Sequence, residues 1–508
     1  MPAEKNQADR AIAFIILILA GAVFSAALWY LRRSGAIQID DAFITFRYAE
    51  NLARGRGWVF NPGERLLGTT TPLFCLLLAG LRLLGLKPTL AADLLNLTAA
   101  VFSSLLIFLI GRESKNRMLG FIAGLLFITF PYFWLNLGSG METMFTMFLA
   151  LVLIWLDLKN RPISAGMVGA LLLLTRIDML ALLAGVLLVR FFQNRKQSLI
   201  LAGSCLAALL PWLIFSTAYF GSPIPHSLLA KKLIHPLIAG LVFKKYLYWF
   251  FGLQEQGSKW VLSFPILIVY SGFAFLGAVR AFFKERKLLV FVLWMGFFIA
   301  GMVYGRVGPF PWYRIPMLGG YLILAGLGIQ WLGESALRRN QKLANGLSIF
   351  IAIFLGAWFI SIVPAISFEK LTDKEKANFA IAQKVKELAR PGDKIFVGEV
   401  GMIGYELMDY YVIDSAGLVS KQVFELRKRE KENLLKLNPA YQWDWWGTPG
   451  WVKAVLDQDQ PEFIISELKY LHLKTLVNDP RFREQYQPAA DSRFDQSAVI
   501  LFQRKERK

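Results

Sequence analysis

AIAFIILILAGAVFSAALWYL, residues 11–31, carries no charged side chain. About 20 apolar residues in helical form cross the hydrocarbon core of a bilayer. This run is therefore long enough to span one. Comparable apolar stretches recur from Ala11 to Val363. Across the 508 residues, 56% are hydrophobic and 18% charged, and the mean hydropathy is +0.46. Soluble domains carry about 25% charged residues and seldom exceed half apolar. The composition predicts a mainly α, polytopic helical membrane protein.

The net charge of +20 raises the question of a nucleic-acid partner, and its distribution answers it. Residues 1–363 hold 33 Lys and Arg against 14 Asp and Glu, whereas residues 364–508 hold 23 against 22. The excess lies in the apolar part, where short basic loops set membrane orientation. No nucleic acid is expected.

About eleven spans are expected, near 11–31, 90–110, 118–136, 142–156, 163–176, 178–192, 198–217, 260–280, 288–305, 315–332 and 343–363. Alternate loops are short and basic: Lys5 and Arg10, Arg112 to Arg117, Lys159 and Arg161, Arg190 to Lys196, Arg280 to Lys287, and Arg338 to Lys342. The positive-inside rule then predicts a multi-pass protein of the cell membrane, plasma or inner, with a cytoplasmic N-terminus and an extracytoplasmic C-terminal domain. No cleavable leader is expected in the first run. Two outward loops break the rule, about 32–89 with Arg32, Arg33, Arg47, Arg54, Arg56 and Arg65, and 218–259 with Lys231, Lys232, Lys244 and Lys245. Snorkelling at the interface and attraction of an anionic substrate both account for them. The short apolar stretch from Pro72 to Leu86 reads as a helix lying at the surface.

At Pro364 the composition changes. Helical stretches at 373–389 and 419–436 alternate with strand-like runs at Lys394–Gly398, Tyr411–Ser415, Glu462–Ser466 and Ala498–Gln503. Residues 1–363 are thus expected as the membrane domain and 364–508 as a soluble α/β domain. Trp443, Trp445, Trp446 and Trp451 crowd one part of it, suited to gripping a glycan, to dipping into the membrane or to packing. Cys75 and Cys205 sit in apolar surroundings as small core residues. The three histidines form no HExxH pair, and no phosphate-binding GxxxxGK[ST] loop occurs. No cofactor and no metal cluster is expected; a single divalent cation on an Asp is left open.

Chemistry concentrates just beyond the first span. The loop reads Ile39-Asp40-Asp41-Ala42-Phe43-Ile44-Thr45-Phe46-Arg47-Tyr48, then Gly55-Arg56-Gly57-Trp58-Val59-Phe60-Asn61-Pro62-Gly63-Glu64, then Gly68-Thr69-Thr70-Thr71-Pro72-Leu73. Adjacent residues do not share a face on a helix or strand, so Asp40 and Asp41 do not form a proton-sharing dyad. One suits a general base and the other an orienting role; on local sequence alone, a helix cap is the better reading of the pair.

These stretches resemble the GT-C superfamily of polytopic glycosyltransferases, and in particular the arabinofuranosyltransferases that finish mycobacterial cell-wall arabinan. Those carry a DDAFI-type start, a G-x-G-x-V-x-N-x-G-E stretch and a G-[FYT]-T-[ST]-P-L finish. Gly140-Met141-Glu142-Thr143 resembles their G-[LM]-E-T. Leu174-Thr175-Arg176-Ile177-Asp178 resembles L-x-R-P-[DE], with Ile177 in place of proline. Tyr219-Phe220-Gly221-Ser222-Pro223-Ile224-Pro225-His226-Ser227 with Lys231 resembles Y-F-G-x-P-x-P-N-[ST], with His226 for the usual asparagine. In the tail, Gly398-Glu399-Val400-Gly401-Met402-Ile403-Gly404-Tyr405 and Val412-Ile413-Asp414-Ser415-Ala416-Gly417-Leu418 are similar to a D-x-G-x-x-G-Y and V-x-D-x-x-G-L pair.

The resemblance implies a reaction: transfer of a sugar, arabinofuranose or another pentose or hexose, from a polyprenyl-phosphate donor to a cell-envelope glycan, glycolipid or protein acceptor, with inversion. It implies a first-loop Asp at the catalytic centre and gives the base to the first of the pair, Asp40. Chemistry agrees: phosphate leaves without protonation, so one carboxylate base suffices where a glycosidase needs two carboxyl groups. Lys231, Arg306 and Arg314 are candidates for the departing phosphate, against lipid-headgroup contact as the plainer alternative. Arg47, Glu142, Arg176, Asp178 and His226 are candidates for substrate binding, with an Arg176–Asp178 ion pair as the plainer role of those two. A transporter or flippase of lipid-linked sugar or a small molecule is the competing class; it would favour internal repeats, and none is visible.

Overall fold

The computed structural model describes residues 2–36, 38–234, 238–256, 259–262, 265–308, 310–361, 373–438, 447–467, 470–489 and 499–505. The chain divides into two compact units. One comprises residues 1–35, 92–211 and 237–367; the other comprises 36–91, 212–236 and 368–508.

The protein is a polytopic helical membrane protein with a small C-terminal sheet. Among the described residues, seven helices are long and apolar enough to cross a bilayer: Asp9–Arg33, Pro88–Glu113, Arg195–Phe220, Ile266–Phe283, Arg286–Gly305, Pro311–Ala336 and Gln341–Ser361. Two bent pairs raise the number to nine if each is one span. The eleven expected included runs that hydropathy marks as apolar but that local breakers cut short. Thr143–Leu158 and Pro162–Thr175 have 16 and 14 residues, and Leu180–Gln193 has 14. At 1.5 Å per residue, 14 residues reach only about 21 Å. Pro131 restarts the helix in the 118–136 run, where the axis bends by 57°. The run expected at 260–280 becomes a helix only at Ile266; before it, β1 (Leu253–Gln256) and β2 (Lys259–Leu262) pair as an antiparallel ribbon.

Helix Pro311–Ala336 is the core of the first unit, buried over most of its length. Glycines let it approach its neighbours backbone to backbone. A Cβ on Gly277 would lie 1.8 Å from the Leu324 carbonyl oxygen, and one on Gly328 would lie 2.0 Å from that of Phe273. A Cβ on Gly320 would meet the Phe291 ring at 2.8 Å. In a lipid environment, where apolar burial gives no helix–helix preference, such close approach is a main source of attraction.

In the second unit the tail forms a five-stranded sheet. Its strands are β3 (Lys394–Val397), β4 (Tyr411–Asp414), β5 (Phe463–Glu467), β6 (Tyr486–Pro488) and β7 (Val499–Arg504), in the order β4-β3-β5-β7-β6. β3 runs parallel to β4 and β5, while β7 is antiparallel to β5 and β6. Phe396, Ile413, Val455, Ile464, Leu473 and Phe502 fill its core, and Trp451 is buried among them. Of the expected tryptophan cluster, Trp443, Trp445 and Trp446 lie outside the described residues. The chain turns away from β3 at Gly398 and enters the short helix Gly401–Glu406. In open α/β sheets, the ends of parallel strands beside such a turn are the usual place for ligands.

Candidate functional site

The first loop forms helix Asp40–Ala53, with both acidic residues in its first turn, where the helix dipole favours them. Ile39 takes the N-cap position and no side chain caps the helix, so neither Asp is spent in that way. Asp40 turns instead to the tail. Its Oδ2 accepts the Gly401 backbone N–H at 3.0 Å and its Oδ1 that of Met402 at 2.8 Å. The amide-lined start of the helix after β3 is thus filled by the chain's own carboxylate. Gly401 is required for the approach: a Cβ there would lie 1.9 Å from the Asp40 carbonyl oxygen and 2.6 Å from Oδ2. Burial, and then the negative charge of Glu399 and that of Asp41, push the Asp40 acid up to about 8, against the two N–H groups that pull it down.

Asp41 faces elsewhere. Its Oδ2 lies 3.2 Å from Nζ of Lys231, and both side chains keep a quarter or more of their surface exposed, 29% and 25%. Lys231 belongs to helix His226–Ile234. At the start of that helix the His226 backbone N–H donates to the Leu67 carbonyl at 2.7 Å, and its ring stands edge-on to Phe424 at 4.7 Å. Asp41, Lys231 and His226 therefore share one unit with Asp40.

Arg47, expected at the substrate, holds the fold instead. It is fully buried. Nε donates to the Phe60 carbonyl at 2.8 Å, Nη1 to the Gly404 and Leu407 carbonyls, and Nη2 to Asn61 Oδ1 and the Tyr410 carbonyl, both at 3.0 Å. These contacts use all five guanidinium donors, so none is left for a ligand. Other residues of the loop motif are engaged in the same way. Asn61 pairs with both backbone groups of Val412 in β4, and Glu64 Oε1 accepts the Tyr411 hydroxyl at 2.5 Å. Thr45, Thr69 and Thr71 form a buried hydroxyl cluster.

Glu142, Arg176 and Asp178 come together in the first unit. Arg176 donates to both oxygens of Asp178, at 3.1 and 2.7 Å, and to Glu142 Oε1 at 2.8 Å. Its guanidinium also lies over the Tyr313 ring at 5.0 Å. Arg314 follows directly and lies 4.3 Å from the centre of the Trp249 ring. Its Nε is buried with no hydrogen-bond partner among the described residues, as is the Tyr246 hydroxyl. Arg306 is exposed and adopts the left-handed conformation that ends helix Leu289–Gly305.

Gly401 and Glu399 stand within the tail motif, and the sequence alone gives neither a task. A glycine three residues after the end of a predicted strand was the available signal. Among the described residues, no group of three or more His, Cys, Asp or Glu side chains is arranged to hold a metal ion.

A protein-family model described as "Domain of unknown function (DUF8728)" matches residues 366–504. No curated protein matches the chain by sequence. Solved structures do match by shape. The Archaeoglobus fulgidus oligosaccharyltransferase AglB, in complex with an inhibitory peptide and a dolichol-phosphate, is 12% identical with a TM-score of 0.57; the match covers 95% of this chain and 73% of that one. ArnT from Cupriavidus metallidurans, bound to undecaprenyl phosphate, is 11% identical with a TM-score of 0.55, over 99% of this chain and 98% of that one. At these identities the likeness is one of fold.

Proposed function

From a chain with the fold of the GT-C glycosyltransferases, we propose a membrane glycosyltransferase that moves a sugar from a polyprenyl-phosphate donor to a glycan, glycolipid or protein acceptor, with inversion. Lipid phosphates in two proteins of like fold support the donor class. The observation that carries the reading is the Asp41–Lys231 pair beside the anchored Asp40. It offers a partly exposed carboxylate and a cation, the two groups that phosphate displacement needs.

Asp41 is the base in this reading. Asp40 is the first acidic residue and the one the resemblance favours, but both its oxygens are engaged by backbone N–H groups. Asp41 takes the proton of the acceptor hydroxyl as that oxygen attacks C1. The C1–oxygen bond to phosphate breaks, and the polyprenyl phosphate leaves with its electron pair. Lys231 meets the developing phosphate charge; Arg314 and Arg306, the other candidates expected from the sequence, belong to the other unit. Donor phosphate would draw Lys231 from Asp41 and leave that carboxylate to the acceptor. The orientation that fits is the one predicted from loop charge, with the site extracytoplasmic in the cell membrane. Arabinofuranose, another pentose and a hexose are the sugars to test.

The experiment is transfer from polyprenyl-phosphate sugars to cell-envelope acceptors by the full chain in nanodiscs, with Asp41→Asn alongside. Transfer by the wild type and its loss in the variant support the reading. Movement of the lipid-linked sugar between leaflets without transfer would replace it by a flippase.

A further inference from the structure

A cavity lies in the unit that holds Asp40, with a volume of about 580 Å³. Phe43, Tyr405 and Phe379 give it aromatic walls, and Glu50, Arg54, Arg82 and Lys87 form a charged side. Neither Asp41 nor Lys231 lines it.

The charges do not balance. Glu50 is buried, and each of its oxygens takes one arginine: Oε1 accepts from Arg54 Nε at 2.8 Å and Oε2 from Arg82 Nε at 2.7 Å. Burial would raise the Glu50 acid, but the hydrogen bonds and charges of Arg82 and Arg54 outweigh it and hold it below the ordinary carboxylate range. One anion thus lies between two guanidinium groups. Among the described residues, the terminal nitrogens of both arginines have no hydrogen-bond partner, and neither has the ammonium of Lys87. The other charges on the wall are already paired, Lys386 with Glu406 and Asp409 with Arg56. Two positive charges remain in excess beside aromatic rings. Planar forked donors suit phosphate or carboxylate oxygens, and aromatic faces suit the C–H face of a sugar ring.

We propose that this cavity binds a sugar carrying an anionic group, phosphate or carboxylate, as a subsite for the acceptor. The acceptor role rests on the glycosyltransferase reading; the binding does not. The link to the reaction is Met402, which lines the cavity and whose backbone N–H donates to Asp40.

The test is calorimetric titration of the full chain in phosphatidylcholine nanodiscs with glucose 6-phosphate, glucuronate and glucose. Binding of either anionic sugar with none of glucose supports the proposal, and the pair tells phosphate from carboxylate. Lys87→Gln should weaken it about tenfold, the worth of one charge-assisted contact. Arg54→Gln should do the same, while Arg82 still holds Glu50. Absence of binding by both anionic sugars, equal binding of glucose, or full binding retained in both Lys87→Gln and Arg54→Gln would overturn the subsite. Because no turnover is read, failure of transfer and failure of this site are told apart.

Discussion

Asp40 and Arg47 stand two turns apart on one helix and hold the two ends of another. Asp40 takes the N–H groups of Gly401 and Met402 at the start of helix Gly401–Glu406, and Arg47 takes the carbonyls of Gly404 and Leu407 at its end. The Asp40 carboxyl oxygens satisfy free N–H groups at the N-terminus, and the Arg47 cation at the C-terminus suits the helix dipole. The first loop and the tail are thereby joined as one construction within the unit.

Replacing Arg47 should therefore affect folding before chemistry. Arg47→Ala leaves buried carbonyls without donors, each costing about 1–3 kcal/mol. The variant should be poorly recovered from membranes and melt early. Arg47→Lys keeps the charge with fewer donors and should be intermediate. Thermal melting in detergent measures both; an unchanged midpoint for Arg47→Ala would refute the clamp.

The two aspartates should separate. Asp41→Asn should fold normally and lower transfer about 10²–10⁴-fold, the usual worth of a positioned base. Asp40→Asn presents one acceptor to two N–H donors and should lower the melting midpoint as well as transfer. Melting curves beside transfer rates show whether the defects divide in this way.

Gly401→Ala should reproduce the Asp40 defect without touching a charge, because its Cβ would meet Asp40. Gly346→Ala, in a helix with open space around it, is the control and should behave as wild type. Equal behaviour of the two would remove the close approach from the account.

Stability should depend on pH through Asp40. Its acid moves from an ordinary 3.8 to about 8 in the folded protein. Between these values the folded state holds a proton that the unfolded state has lost. The contribution is full below about 4, is lost as pH rises, and is gone beyond 8. Melting midpoints from pH 5 to 9 should fall with pH in the wild type and change less in Asp40→Asn.

Single alanine variants of Lys231, Arg306 and Arg314 test the phosphate. A charge-assisted contact contributes roughly 1.5–3 kcal/mol, so the responsible residue should weaken donor use about ten- to a hundredfold. Normal donor kinetics in all three would move the phosphate elsewhere.

The membrane class was legible from residues 11–31 alone, since length and apolarity are sequence properties. The four tail strands expected from alternation appear as β3, β4, β5 and β7, within a residue or two at each end. Of the eleven expected runs, those at 142–156, 163–176 and 178–192 form helices of 16, 14 and 14 residues, and only the break at Pro131 inside the 118–136 run gave no hydropathy signal. The small strand β6 and helix Pro449–Asp459 gave no separate signal. The acidic pair was visible; what each carboxylate does was not. That depends on Gly401, more than 350 residues away in sequence, and no local pattern encodes such a partner.

The glycines packed along helix Pro311–Ala336 bear on how Arg314 is held. Where backbone lies on backbone, at Gly277 and Gly328, and where Gly320 seats the Phe291 ring, no side chain can repack to let the helix slide. The helix is a strut with one seating, and Arg314 is fixed near its end. In the proposed reaction, a donor phosphate taken by Arg314 would meet a side chain on a helix seated by close backbone contacts, whatever the length of the lipid tail beyond it.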